Sequence, residues 1–351
     1  MTILKFARVA LVLGMLLMAA GALAATAQSS LPAAGGLHAG WNRLEPEGAV
    51  CANGEPYAFF VRPGDPDKLM IYFQGGGACW NRATCGVFGP YKRTVGDAAD
   101  EAGASGIADF SDPRNPVADF TTVLVPYCSA DVHTGSRTVT FDGQPPLTVR
   151  FHGYDNATAV LDWTTANYPD ARQLFVTGTS AGSYGALFNA PRIFDAYPDA
   201  EKWVLGDAGV GVTPGDWGGF DVWGLADHLP EGAEASAPEA GITTGVTSYT
   251  ALTYPDARVA HYTSAADSVQ MAFYALMGGR AREWTAGMRA ELAPLESLDN
   301  VRIYIAPGAS HGILPGDAFY TMSADGVPFA DWLTDWLAGE PVESVLCAAC
   351  S

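Results

Sequence analysis

The stretch that decides the fold is Val176-Thr-Gly-Thr-Ser-Ala-Gly-Ser-Tyr-Gly-Ala186. An apolar run ends in Gly178, Ser180 and Gly182, three small residues spaced by two. This G-x-S-x-G pattern fits a nucleophile elbow, in which a serine occupies a strained turn between strand and helix and the glycines make room for it. In a chain with 40 glycines it also fits an ordinary glycine-rich turn. The surrounding sequence has to separate the two.

Working outward, short runs rich in Val, Ile, Leu, Phe and Tyr recur at wide spacing. They are Leu69–Phe73, Phe120–Pro126, Leu174–Thr177, Trp203–Leu205, Val259–Tyr262 and Val301–Ile305. Continuous apolar runs of this length read as strands buried on both faces, as in a parallel sheet. Helical faces lie between some of them: Tyr154, Ala157, Val160 and Leu161 share one, and Phe329, Trp332, Leu333, Trp336 and Leu337 share another. Alternating strands and helices predict one α/β domain, a mostly parallel central sheet flanked by helices. Two long interruptions, about 75–119 and 208–256, read as loop insertions forming a cap or cleft. Trp217, Phe220 and Trp223 of the second are placed to line a substrate cleft, or equally to pack the insertion onto the core.

The first 27 residues have the layout of a secretory signal. Lys5 and Arg8 precede the apolar run Val9–Leu23, and A-x-A sites follow at 22–24 and 25–27. The run is short for a membrane span, which needs about 20 residues. Cleavage near 24–27 would leave 28–351 as the mature domain, secreted or periplasmic, with no membrane attachment. The formal charge of −19 becomes two units more negative when Lys5 and Arg8 leave. Such a surface repels nucleic acid. The six cysteines, Cys51, Cys79, Cys85, Cys128, Cys347 and Cys350, all lie beyond the leader; an even count in an exported chain favours disulfides over metal ligation. No H-x-x-H or Asp-His-His cluster marks a metal site.

A serine hydroxyl is a weak nucleophile until a base takes its proton. Of six histidines, His38, His133 and His152 precede Ser180, against the order Ser, acid, His of a doubly wound hydrolase. His228 falls in the insertion and His261 inside a strand pattern. His311 follows the last strand by a short loop and is the expected base. For the acid, Asp267 follows the strand before the histidine strand, Asp207 ends the strand before that, and Asp317 comes six residues after His311. Position favours Asp267, with Asp207 as the alternative acid. The oxyanion donors are expected from Gly75-Gly76-Gly77, where a strand runs into glycines, and from the amide of Ala181.

With these parts in order, the sequence resembles the pectin acetylesterase and Notum-like carboxylesterases. The resemblance rests on "GAVCANGEPYAFFVRPG", "LMIYFQGGGACWNRATC", "VPYCSADVHTG", "GYDNATAVLDW", "VTGTSAGSYGA", "LGDAG" and "ADS". It implies a secreted, cofactor-free esterase of α/β-hydrolase fold with Ser180 as nucleophile, Asp267 as acid and His311 as base. The implied oxyanion donors are the amides of Gly76, Gly77 and Ala181. Three features depart from the pattern: Ser183 follows Gly182, Ala266 precedes Asp267, and a cysteine usual shortly before the histidine is absent. The last points to a differently braced histidine loop. The expected activity is removal of short acyl groups, acetyl first, from saccharides. A polyester or lipid-ester hydrolase is the alternative, and a non-catalytic secreted binding protein a remote one. Trp80, Tyr184, Trp217 and Trp223 are the expected substrate-binding residues.

Overall fold

The computed structural model describes residues 31–350 apart from 98, 99, 102, 216, 234, 235, 237–239, 348 and 349; the expected leader lies outside the described residues. The elements all belong to one compact unit, Pro32–Ser351. Its centre is an eight-stranded sheet, ordered β1-β2-β4-β3-β7-β8-β9-β10. The strands are β1 Asn42–Leu44, β2 Phe59–Arg62, β3 Asp65–Phe73, β4 Phe120–Val125, β7 Gln173–Thr179, β8 Glu201–Asp207, β9 Arg258–Ser264 and β10 Val301–Ala306. From β4 onward neighbours run parallel, while β1 and β2 form an antiparallel edge. This is the α/β-hydrolase fold.

The six apolar runs become the six parallel strands because both faces are covered. All six residues of β4 are buried, as are residues 203–207 of β8. On one face lies the helix Phe329–Leu337, whose Phe329, Trp332, Leu333, Trp336 and Leu337 are the buried stripe read from the sequence. Trp203 of β8 donates its indole N–H to the Trp336 carbonyl at 3.0 Å, so burying the ring leaves no unsatisfied donor. On another face the helix Ala181–Ala196 buries most of its length, beginning directly after Ser180.

Three disulfides form, Cys51–Cys128, Cys79–Cys85 and Cys347–Cys350. The first spans 77 residues, a separation at which a cross-link removes about 4 kcal/mol of unfolded-state entropy. It ties the segment before β2 to the segment after β4.

The second interruption is shorter than its sequence suggests. A helix occupies Ile242–Thr253 and buries Val246 in a cluster with Phe188 of the helix after Ser180. Its periodicity is hidden because it buries threonines, whose hydroxyls donate back one turn: Thr247 to the Thr243 carbonyl and Thr250 to that of Val246, both at 2.8 Å. A hairpin, β5 Arg137–Phe141 with β6 Leu147–Phe151, stands apart from the main sheet. Among the described residues no helix is long and apolar enough to cross a membrane.

Candidate active site

Ser180 is the residue between β7 and the helix Ala181–Ala196, and its backbone sits at φ +60°, ψ −122°. A non-glycine residue there carries strain on the order of 1–3 kcal/mol, which only an over-determined setting sustains. The setting is tight. A Cβ on Gly182 would stand 1.9 Å from the Phe73 carbonyl oxygen, and one on Gly178 2.3 Å from that of Gly182. The two glycines let β7, the end of β3 and the helix converge, and the Ser180 amide donates to the Asp207 carbonyl at 2.8 Å. Ser183, the departure from S-A-G-G, is buried and donates to the Gly209 carbonyl.

Ser180 and His311 line the same cavity. His311 Nδ1 lies 2.9 Å from both carboxylate oxygens of Asp267, so this nitrogen carries the ring proton and Nε2 holds the lone pair. Nε2 is buried and has no protein partner. Asp267 is fully buried and caps the helix Ser268–Leu276, accepting from the amides of Val269 and Gln270 at 3.0 Å. The loops bearing acid and base are laced together: amides of Ala265, Ala266 and Ser268 donate to carbonyls of Ala306, Gly308 and Ala309.

Asp207, the alternative acid, lies elsewhere in the arrangement. Its carboxylate accepts from the amides of Ile313 and Leu314, just beyond His311, and from Thr179 Oγ1 at 2.7 Å. It braces the histidine loop from beneath while Asp267 holds the ring. Burial pushes its pKa up to about 6, against the pull of the Leu314 amide, the Thr179 hydroxyl and the Ile313 amide. Asp317 is exposed, in a short turn away from the cavity.

The glycine run forms the opposite lip. Gly77 has φ +76°, and a Cβ there would meet the Pro90 carbonyl oxygen at 1.8 Å, so only glycine fits. Gly77 and Ala181 line the cavity; Gly76 stands one residue back, its Cα against the Tyr127 ring and its carbonyl accepting from the Lys92 amide. Ala181 is the first helical residue, so its N–H has no carbonyl one turn earlier to reach. Behind the run, His133 Nε2 donates to the Gln74 carbonyl at 2.8 Å, and burial holds this imidazole neutral, lowering its pKa to about 4. The turn carrying His133 folds around Asp131, which accepts from Ser129 Oγ and the amides of His133, Gly135 and Gly153. His261 is buried in β9 and His228 is stacked on Tyr154; neither lines the cavity.

Trp80, Tyr184, Trp217 and Trp223 all line the cavity, joined by Phe220 and Phe273. Trp217 meets Trp80, Phe220 and Trp223 edge to face, with centroids 5.3, 5.0 and 5.6 Å apart. Trp223 donates its indole N–H to the Cys79 carbonyl at 2.8 Å, fastening the insertion to the disulfide loop beside the glycine run. Among the described residues, no Asp, Glu, Lys or Arg lines the cavity. Among the described residues no group of His, Cys, Asp and Glu could hold a metal ion.

Residues 41–218 match the family model for pectinacetylesterase, a span that includes the glycine run and the elbow. The chain belongs to the pectinacetylesterase family. Similar proteins include the palmitoleoyl-protein carboxylesterase NOTUM of Schmidtea mediterranea, 28% identical over 155 residues, which are 41% of this chain and 28% of that protein. The palmitoleoyl-protein carboxylesterase notum2 of Xenopus laevis is 30% identical over 150 residues, 41% of this chain and 30% of that one. The alignments thus span under a third of the length of these two relatives. Among solved structures, the Wnt deacylase Notum from Drosophila superposes with a TM-score of 0.62 at 18% identity, covering 88% of this chain and 99% of that one. At that identity the likeness carries the fold. In this pectinacetylesterase-family member Ser180 follows β7, Asp267 follows β9 and His311 lies beyond β10.

Sequence reasoning missed Gln270, which lines the cavity and donates to Asp267 Oδ2 at 3.0 Å. Its signal was there: Asp267-Ser-Val-Gln270 has the spacing of a capping box, a cap residue and a Gln three positions on.

Proposed function

We propose that the protein is an exported serine carboxylic-ester hydrolase working through an acyl-enzyme. His311 Nε2 takes the proton of Ser180 Oγ as that oxygen attacks the ester carbonyl carbon, and Asp267 holds the resulting imidazolium. The amides of Gly77 and Ala181, with Gly76 behind them, receive the oxyanion, a contribution of about 10²–10³ in rate per donor. The tetrahedral intermediate expels the alcohol, which leaves with the proton held on His311. Water, deprotonated by the same nitrogen, then releases the acid and restores Ser180. The observation that carries this reading is a strained Ser180 sharing one cavity with a His311 whose Nδ1 sits on a buried carboxylate. Three disulfides and the leader-like N-terminus support export.

For the substrate, acetyl groups on saccharides follow from family membership. A second reading, an ester with a longer apolar acyl chain, is favoured by the uncharged aromatic wall and accords with relatives named palmitoleoyl-protein carboxylesterases. An apolar pocket gains roughly 0.8 kcal/mol for each methylene it buries. A series of nitrophenyl esters from acetate to palmitate, beside acetylated xylan and pectin, decides between them. Falling KM with chain length supports the apolar acyl group, and activity confined to acetyl supports the saccharide. Absence of ester hydrolysis throughout, or activity that survives Ser180→Ala, removes the reading altogether.

A further inference from the structure

Asp267 is surrounded by backbone donors at a helix start, and one side chain besides His311 also reaches it. That side chain is Gln270, nearly fully buried. Its Oε1 accepts from the Val210 amide at 3.0 Å, which fixes which way the amide points, because Val210 N–H can only donate. Both protons of Nε2 are then committed, one to Thr263 Oγ1 at 3.1 Å and one to Asp267 Oδ2 at 3.0 Å. The amide thus joins three places: the end of β9 through Thr263, the proposed acid, and the segment 208–212 that follows β8. That segment lines the cavity through Ala208, Gly211 and Val212.

We infer that Gln270 is a positioning residue, setting the orientation of the Asp267 carboxylate toward His311 and locking the cavity wall at Val210 to it. The inference rests on the triad proposed above. His311 and two cap amides leave the Asp267 carboxylate some rotation about its Cβ–Cγ bond; a fourth donor, on Oδ2 and itself tethered to Val210 and Thr263, restricts that freedom. Gln270 does so as a neutral donor, so it adds no charge beside the imidazole.

The chemistry gives a test that misfolding cannot imitate. In Gln270→Glu the new side chain has the same shape. Protonated, its O–H donates to Asp267 Oδ2 and its carbonyl accepts from Val210, restoring the two bonds the inference rests on and giving up only the donation to Thr263. Ionised, it presents negative charge to Asp267 and no donor at all. On the basic side of the wild-type profile, kcat/KM is expected to stay constant as pH rises. In Gln270→Glu it is expected to fall by about tenfold to a hundredfold once the new carboxyl ionises, and to recover in the same sample on acidification. Gln270→Met, of similar length and without the amide, is expected to lose about as much at every pH, mostly in kcat, with its circular dichroism unchanged. A Gln270→Glu profile superimposed on the wild type, or a folded Gln270→Met with full kcat, overturns the inference. Failure of the underlying triad reads differently, as wild-type activity that Ser180→Ala leaves intact.

Discussion

Beneath the cavity, segments are fastened by directional bonds to buried carboxylates; over it, they are fastened by ring edges. Asp207 grips the histidine loop through two amides and Thr179, and Asp267 grips the imidazole, two cap amides and Gln270. The wall built by Trp80, Trp217, Phe220 and Trp223 is held by edge-to-face contacts at 5.0–5.7 Å, with the Trp223–Cys79 bond as a polar anchor. Hydrogen bonds to charged groups fail when geometry shifts by a few tenths of an ångström, whereas apolar contacts tolerate repacking. Under the proposed function, the floor is suited to fixing a reaction, and the wall to adjusting which acyl group reaches it.

The largest effect expected from breaking this contrast is on the floor. Asp267→Asn keeps the shape but removes the carboxylate that would stabilise the imidazolium and can favour the wrong ring tautomer; kcat should drop about 10⁴-fold in steady-state assays. On the wall, Trp217→Ala should raise KM about tenfold for long-chain esters and leave kcat and acetyl-ester kinetics nearly unchanged. Equal losses for acetate and palmitate esters would mean that the ring orders the floor rather than the acyl chain.

The smallest effect on turnover separates the two carboxylates. Asp207→Asn should cost about 1–3 kcal/mol of stability by denaturant titration, because an amide N–H₂ would face donors, while kcat/KM falls less than tenfold. Its pH signature follows from burial raising the Asp207 pKa to about 6. The neutral carboxyl is the favoured buried form, so the wild-type contribution is complete below about pH 4 and is lost as pH rises through 6. The stability gap between wild type and Asp207→Asn should accordingly narrow across that interval. A gap that widens would mean that the amides of Ile313 and Leu314 outweigh desolvation.

The floor was legible because its parts are tied to strand ends. Apolar runs covered on both faces announce themselves, and a parallel sheet presents residues just past its strands at one edge, so Ser180 and His311 could be proposed from order, while position only favoured Asp267 over Asp207 and Asp317 as the acid. The absent cysteine before His311 pointed to a different brace, and the structure supplies one in Asp207. Other features gave weaker signals. Strands β1 and β2 have three and four residues, too few for a period to emerge. The β5–β6 hairpin lies outside both insertions; Asp142-Gly143 is a turn signal, but the connection runs on through 144–146, so the two strands are not joined by the two-residue turn that Asp-Gly marks. In the helix Ile242–Thr253, threonine hydroxyls satisfied within the helix replace the apolar stripe. Gln270 escaped because its partners, Val210 and Thr263, are distant in sequence or on another element. The aromatic wall was visible as composition, but edge-to-face assembly belongs to tertiary packing.

The central claim is that Ser180 is a nucleophile activated by His311. Its most direct test is mass spectrometry of the protein after reaction with a fluorophosphonate. The account predicts one adduct, on the peptide carrying Ser180, absent in Ser180→Ala and strongly slowed in His311→Ala. An unmodified Ser180 in protein that hydrolyses esters, or labelling that persists in Ser180→Ala at the same rate, would contradict it.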